Sequence, residues 1–173
     1  CHGDMHLGNI CLIDEKPILL NGLEFNTDFL NIDVMYDLAF TIMDLDFNGQ
    51  RRSGSILLNR YLDVTGEVVL TPYALTVLPL FLSMRAAVGA HRKGAITRKM
   101  PPRDDSHEVI ASVEGHLRLA NSYLQPSSPK LIAVGGLSGS GKSRMARELA
   151  PFYGLAPGTR VVRTDAVRKR ISG

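Results

Sequence analysis

Gly136-Leu137-Ser138-Gly139-Ser140-Gly141-Lys142-Ser143, preceded by the apolar run Leu131-Ile132-Ala133-Val134, is the stretch from which the fold is read. It satisfies the G-x-x-x-x-G-K-[ST] phosphate-loop pattern. The glycines let backbone N–H groups curl around phosphates, and the first turn of a following helix adds its positive end. Lys142 has the reach for β- and γ-phosphates, and the Ser143 hydroxyl can take a coordination position on Mg²⁺. The apolar run before the loop reads as a strand. Arg144-Met145-Ala146-Arg147-Glu148-Leu149-Ala150 reads as a helix closed by Pro151. The pattern points to ATP with Mg²⁺ as ligands; a chance Gly/Ser turn is the bland alternative.

Downstream, Pro157-Gly158 turns the chain, and Arg160-Val161-Val162-Arg163 reads as a second short strand ending at Thr164-Asp165. A right-handed crossover would set Gly136 to Ser143 and Asp165 on one edge of a parallel sheet. There Asp165 could orient an acceptor or join the magnesium shell through water. Arg168 could clamp a phosphate, the alternative for Arg168-Lys169-Arg170 being a solvated basic helix.

Composition sets wide bounds. The chain has 173 residues, 45% of them hydrophobic, and a formal charge of +3 with a pI near 9.0. That charge admits anionic ligands but, without interleaved aromatics or a binding motif, argues against nucleic acid. Two cysteines, Cys1 and Cys11, make no disulfide framework, which suits a reducing, cytoplasmic setting. The apolar stretch around residues 68–90 is broken by Pro72, Pro79 and Arg85, so no membrane span is expected. A first residue other than Met and an early end past the loop read as an internal piece of a longer protein.

Upstream, His2-Gly3-Asp4-Met5-His6-Leu7-Gly8-Asn9 is polar and leads into Ile10-Cys11-Leu12-Ile13, the turn Asp14-Glu15-Lys16-Pro17 and Ile18-Leu19-Leu20. This reads as a hairpin with a polar cluster at its mouth. Asp4 and Asn9 have the spacing of the Asp and Asn of a kinase catalytic loop, although both are common loop residues. Residues 34–45 read as a helix capped by Asp33, with Val34, Met35, Leu38, Ala39, Ile42 and Met43 at helical spacing. A second helix carries Ile56, Leu57, Tyr61 and Leu62 and ends near Gly66. A third starts at Pro72 and shares Leu75, Leu78, Leu82, Ala86 and Ala90 on one face, with Pro79 expected to kink it. Arg85, His91, Arg92 and Lys93 near its end read as a wet surface favoured by the helix dipole. Arg98 to Asp105 reads as a charged connection. A fourth helix is capped by Ser106, and Gln125-Pro126-Ser127-Ser128-Pro129 reads as a domain boundary.

The His2–Asn9 stretch resembles the catalytic loop of the aminoglycoside/choline phosphotransferase family, which has a protein-kinase fold. The whole chain resembles bacterial proteins in which such a domain is fused to a phosphate-loop ATP-binding domain of the kind found in zeta-toxin-like kinases. Leu23-Glu24-Phe25, Ile32-Asp33-Val34, Asp37 to Leu45, Asn59-Arg60-Tyr61-Leu62, Leu78-Pro79-Leu80-Phe81, the phosphate loop and Arg163 to Arg170 carry the likeness in order. The resemblance implies that Asp4 positions an acceptor hydroxyl, that Asn9 holds magnesium and that Asp37 braces the loop. It puts Asn21 where the family has its main magnesium-binding aspartate; an amide oxygen brings no charge, with Glu24 and Asp28 as nearby carboxylates.

The resulting expectation is an α/β chain with a mainly helical segment. Residues 1–125 would be part of a kinase-like lobe, and residues 126–173 the β-loop-α-β opening of a phosphate-loop sheet domain. The expected function is an ATP-dependent phosphotransferase acting on a hydroxyl-bearing small molecule, with contact between its two domains. The alternative is a non-catalytic ATP-binding switch or scaffold with a pseudo-kinase first lobe.

Overall fold

The computed structural model describes residues 1–22, 31–65, 71–99 and 106–172. Leu23-Glu24-Phe25, Asp28, Gly66 and most of the charged connection up to Asp105 therefore lie outside the described residues.

Helix α1 spans Val34–Phe47. Its start follows from Asp33, whose side chain accepts from the Met35 N–H at 2.7 Å and satisfies a donor that the helix cannot. Met35, Leu38, Ala39, Ile42 and Met43 recur at helical spacing and are all buried. Helix α2, Arg51–Thr65, buries Leu58 and Leu62 one turn apart. Helix α3, Thr71–Lys99, runs through Pro79 as a single element. Its Leu78, Leu82, Ala86 and Ala90, spaced by four, form the buried face. Helix α4, Ser106–Tyr123, adds His116, Ala120 and Tyr123. The four helices share one apolar cluster. Each fully buried leucine there contributes about 1.5–3 kcal/mol, so this cluster holds the chain together. Tyr123 closes it with a hydroxyl that donates to Asp46 at 2.8 Å. Burial, and then the Asp46 charge, push the phenol's pKa upward.

Strands β1, Ile10–Ile13, and β2, Lys16–Leu19, pair antiparallel with Ile10 opposite Leu19 and Ile13 opposite Lys16. Asp14 and Glu15 turn between them with φ of 49° and 60°, the positive pair that a two-residue hairpin of native twist requires. Helices α5, Lys142–Leu149, and α6, Thr164–Ile171, lie beyond the four-helix body.

The α/β expectation is overturned: among the described residues the only sheet is β1–β2, and the chain is mainly helical. Residues 131–134 and 160–163, read as parallel strands, form none. The reason is pairing. An apolar run becomes a buried parallel strand only with neighbours on both sides. Leu131 is instead 98% exposed and Val162 65% exposed. The second segment hydrogen-bonds to α2 in place of a strand: Asn59 Nδ2 donates to the Thr159 carbonyl at 3.2 Å, and Asn59 Oδ1 accepts from Val161 N–H at 2.8 Å. The kinase-like lobe and phosphate-loop sheet implied by the resemblance are not the architecture observed. The ATP-dependent phosphotransferase or kinase and the ATP-binding switch fall with it, since both required a nucleotide-binding sheet behind the loop and the described residues form none there.

Candidate functional site

The polar loop at the mouth of the hairpin is held by one face of α1. Asp37, Thr41 and Asp44, spaced by four and three residues, line up along that face. Asp37 Oδ2 accepts from the N–H groups of His2 and Gly3, at 2.6 and 3.1 Å. The Thr41 hydroxyl donates to the Met5 carbonyl at 2.5 Å, and Asp44 Oδ2 accepts from Leu7 N–H at 3.0 Å. Gly3 is buried and has φ of 82°, a conformation that a side chain would strain.

Arg85 of α3 completes the brace. It is only 6% exposed and donates to the carbonyls of Tyr36 and Gly3, at 3.1 and 3.3 Å. Its guanidinium lies 3.9 Å from the Tyr36 ring centre and 4.6 Å from that of Phe40, with Asp37 Oδ1 at 3.9 Å. Burial lowers the Arg85 pKa, and Tyr36, Asp37 and Asp4 oppose that shift. A planar, weakly hydrated cation is the residue type that tolerates such a place.

On this base the mouth assembles. Asn9, itself buried, donates from Nδ2 to the Asp4 carbonyl at 2.8 Å and to Asp4 Oδ2 at 3.3 Å. Asn21 Nδ2 donates to Asn9 Oδ1 at 3.3 Å, from a residue in the left-handed region at φ 56° that Asn tolerates. Arg92 makes an ion pair with Asp4, 3.5 Å from Oδ1, and the His6 ring lies 3.5 Å from Oδ2. The Asp4 side chain is 27% exposed, so it is both fixed and open to solvent.

Of the residues singled out from sequence, Asp4, Asn9 and Asn21 thus come together. The others stay in their own segment. Gly136 to Gly141 are exposed, with Gly139 and Gly141 at φ of 77° and 85°. Lys142 folds back to donate to the Leu137 carbonyl at 2.5 Å, while Ser143 sits half-buried in the first turn of α5. Asp165 pairs with Arg163 at 2.7 Å, and that hydrogen bond holds its carboxyl below the usual range. Arg168 is exposed on α6. Among the described residues, no group of three or more His, Cys, Asp or Glu side chains is placed to hold a metal ion.

Sequence reasoning missed Arg85, Arg92 and His6. Two arginines seven residues apart on α3 were the available signal, since that spacing puts both on one helix face. Both were read as wet surface; one braces the loop and the other meets Asp4.

What the fold and site define together is a helical body presenting a braced, partly open polar mouth. No family model matches the chain, and no solved structure matches it. It is 33% identical over 170 residues to the uncharacterized protein Rv2004c of Mycobacterium tuberculosis (strain ATCC 25618 / H37Rv). The uncharacterized protein Mb2027c of Mycobacterium bovis (strain ATCC BAA-935 / AF2122/97) matches at the same 33% over 170 residues. These alignments cover 98% of this chain but 32% of each relative, so the chain spans about a third of the length of the curated relatives it matches.

Proposed function

We propose that this chain is a binding module that takes a small hydroxyl-bearing molecule at the mouth formed by Asp4, Asn9, Asn21 and Arg92. The observation that carries this reading is the convergence of a part-exposed carboxylate, two amides and a guanidinium on a loop fixed from below by buried Asp37 and Arg85. Carboxylate and amide oxygens accept from hydroxyls, while amide and guanidinium N–H groups donate to them. Preorganisation by the α1 face reduces the ordering that a ligand must impose. The donor set suits hydroxyls better than Mg²⁺: one carboxylate already faces Arg92, and the amides add no charge.

ATP with Mg²⁺ is proposed only as a direct ligand of the exposed Gly136 to Ser143 backbone, with no turnover and no switching attached to it, and is separate from the mouth. The thiol form of Cys1, which donates to the Ile32 carbonyl at 3.3 Å, and of Cys11 supports a cytoplasmic setting. Helix α3 contains one window, Tyr73–Ala95, apolar and long enough to cross a membrane by length and composition. A third of that window is buried, including Leu78, Leu82, Ala86 and an arginine, Arg85, paired inside the fold, which supports a helix packed on one face against the protein.

The test is an NMR titration with myo-inositol, glucose and glucosamine, then with ATP and MgCl₂. The expected result is shifts at Asp4 to Asn9 with at least one polyol, lost in Asp4→Asn and Asn9→Ala forms that melt normally. Absence of polyol shifts at millimolar ligand, or shifts that survive both substitutions, would overturn the proposal.

A further inference from the structure

His116 of α4 is 3% exposed and occupies the seam between three helices. Its ring centre lies 3.7 Å from that of Phe47 on α1, with an interplanar angle of 32°. On the α3 side it meets Gly89 so closely that a Cβ there would stand 2.6 Å from the imidazole Cδ2 and 3.0 Å from Nε2. The missing side chain of Gly89 is therefore the space that the ring fills. Nδ1 lies 2.8 Å from the Ser112 carbonyl, an acceptor, so the proton of the neutral ring is on Nδ1 and the unprotonated Nε2 faces α3.

The charges around the ring are unequal. From α3, Lys93 donates from Nζ to the Ser112 hydroxyl at 2.7 Å and sits 5.0 Å from the Phe47 ring centre, beside the imidazole. From α1, Asp44 is the opposing carboxylate, but its Oδ2 is engaged by Leu7 N–H, and Asp46 is taken by the Tyr123 hydroxyl. A second proton on His116 would bury a cation beside the Lys93 ammonium in a seam closed to water, and the attraction of the Phe47 face only partly offsets that cost.

We propose that the α3–α4 seam is a pH-sensitive joint, held closed by neutral His116 and loosened when that ring takes a second proton. Burial first, and then Lys93, lower the His116 pKa below its ordinary 6.5, with the Ser112 carbonyl and Asp44 pulling the other way. A lowered folded-state value means that the unfolded chain takes up the proton first. The stability of the joint is complete above 6.5 and is lost as pH falls from there toward the folded-state value.

The experiment follows amide hydrogen exchange of residues 106–123 in the 173-residue chain from pH 7.5 to 5.0, corrected for intrinsic exchange, beside His116→Gln and His116→Phe. In the native chain, α4 protection is expected to fall several-fold more than α1 protection as the medium acidifies. The variants should show no such differential. Should either variant fail to fold, the imidazole C–H shifts of the native chain give the answer directly. A His116 ring that is half-protonated at or above 6.5 would overturn the proposal, as would α4 protection that tracks α1 throughout.

Discussion

Two polar, glycine-bearing stretches of this chain meet opposite fates. His2 to Asn9 is gripped along its length by buried Asp37 and Thr41 and half-buried Asp44 and covered by Arg85, so its backbone polar groups end on packed side chains. Gly136 to Ser143 meets no such face: its glycines are exposed, and Lys142 is spent on the loop's own Leu137 carbonyl. The motif in the second stretch is the more specific of the two as a pattern. The first is the better built as a site. A phosphate-loop pattern specifies what a backbone could do when a sheet stands behind it, whereas a brace of packed side chains is visible only in three dimensions.

The comparison can be broken most severely at Asp37. Asp37→Ala strands two backbone N–H groups and leaves Arg85 buried without its carboxylate. A loss of about 3–5 kcal/mol is expected in urea unfolding. A much smaller loss would mean that the loop is held by its own hairpin.

Next in size is Asn59→Ala, which releases the Thr159 carbonyl and the Val161 N–H from α2. About 1–3 kcal/mol should be lost, with faster protease cleavage around residues 155–163 and unchanged cleavage near His2. The cap at Asp33 sharpens the α1 side: Asp33→Ala should cost about 1 kcal/mol, measured as a drop in melting temperature. Smallest is Lys142→Ala, expected to change stability by less than about 0.5 kcal/mol because its partner carbonyl stays solvated. A larger change in thermal melts would show that the exposed loop has a structural share after all.

The helices were legible in sequence because helical periodicity is local. Met35 to Met43 and Leu78 to Ala90 mark their buried faces by spacing alone, and Asp33 announces a start. The hairpin was legible for the same reason, although its turn, expected over Asp14 to Pro17, is only Asp14 and Glu15, with Lys16 and Pro17 already in β2. The misreading came where the answer depended on distant partners. Leu131 to Val134 and Arg160 to Arg163 have strand composition, but pairing decides strands, and the second segment pairs with an asparagine on a helix. Of the mouth, Asp4 and Asn9 were marked by their spacing, and Asn21 and Asp37 by the resemblance alone; what the fold shares with that reading is their proximity, not the acceptor and magnesium roles attached to them. Arg85 and Arg92 were not marked, because the helix was expected to end near them; it runs on to Lys99, which puts Arg85 at its midpoint and inside the fold.

Asn59 has a consequence for how the chain reaches this state. It joins residues about a hundred positions apart in sequence, and its amide is correctly aimed only once α2 is formed and buried. Residues 159–161 thus have a docking partner only late, after the four-helix body has closed. Long sequence separation makes such a contact slow to gain, since chain closure must be complete before the contact stabilises anything. In refolding kinetics Asn59→Ala should therefore leave the folding rate almost untouched and speed unfolding, the signature of a contact made after the barrier has been crossed.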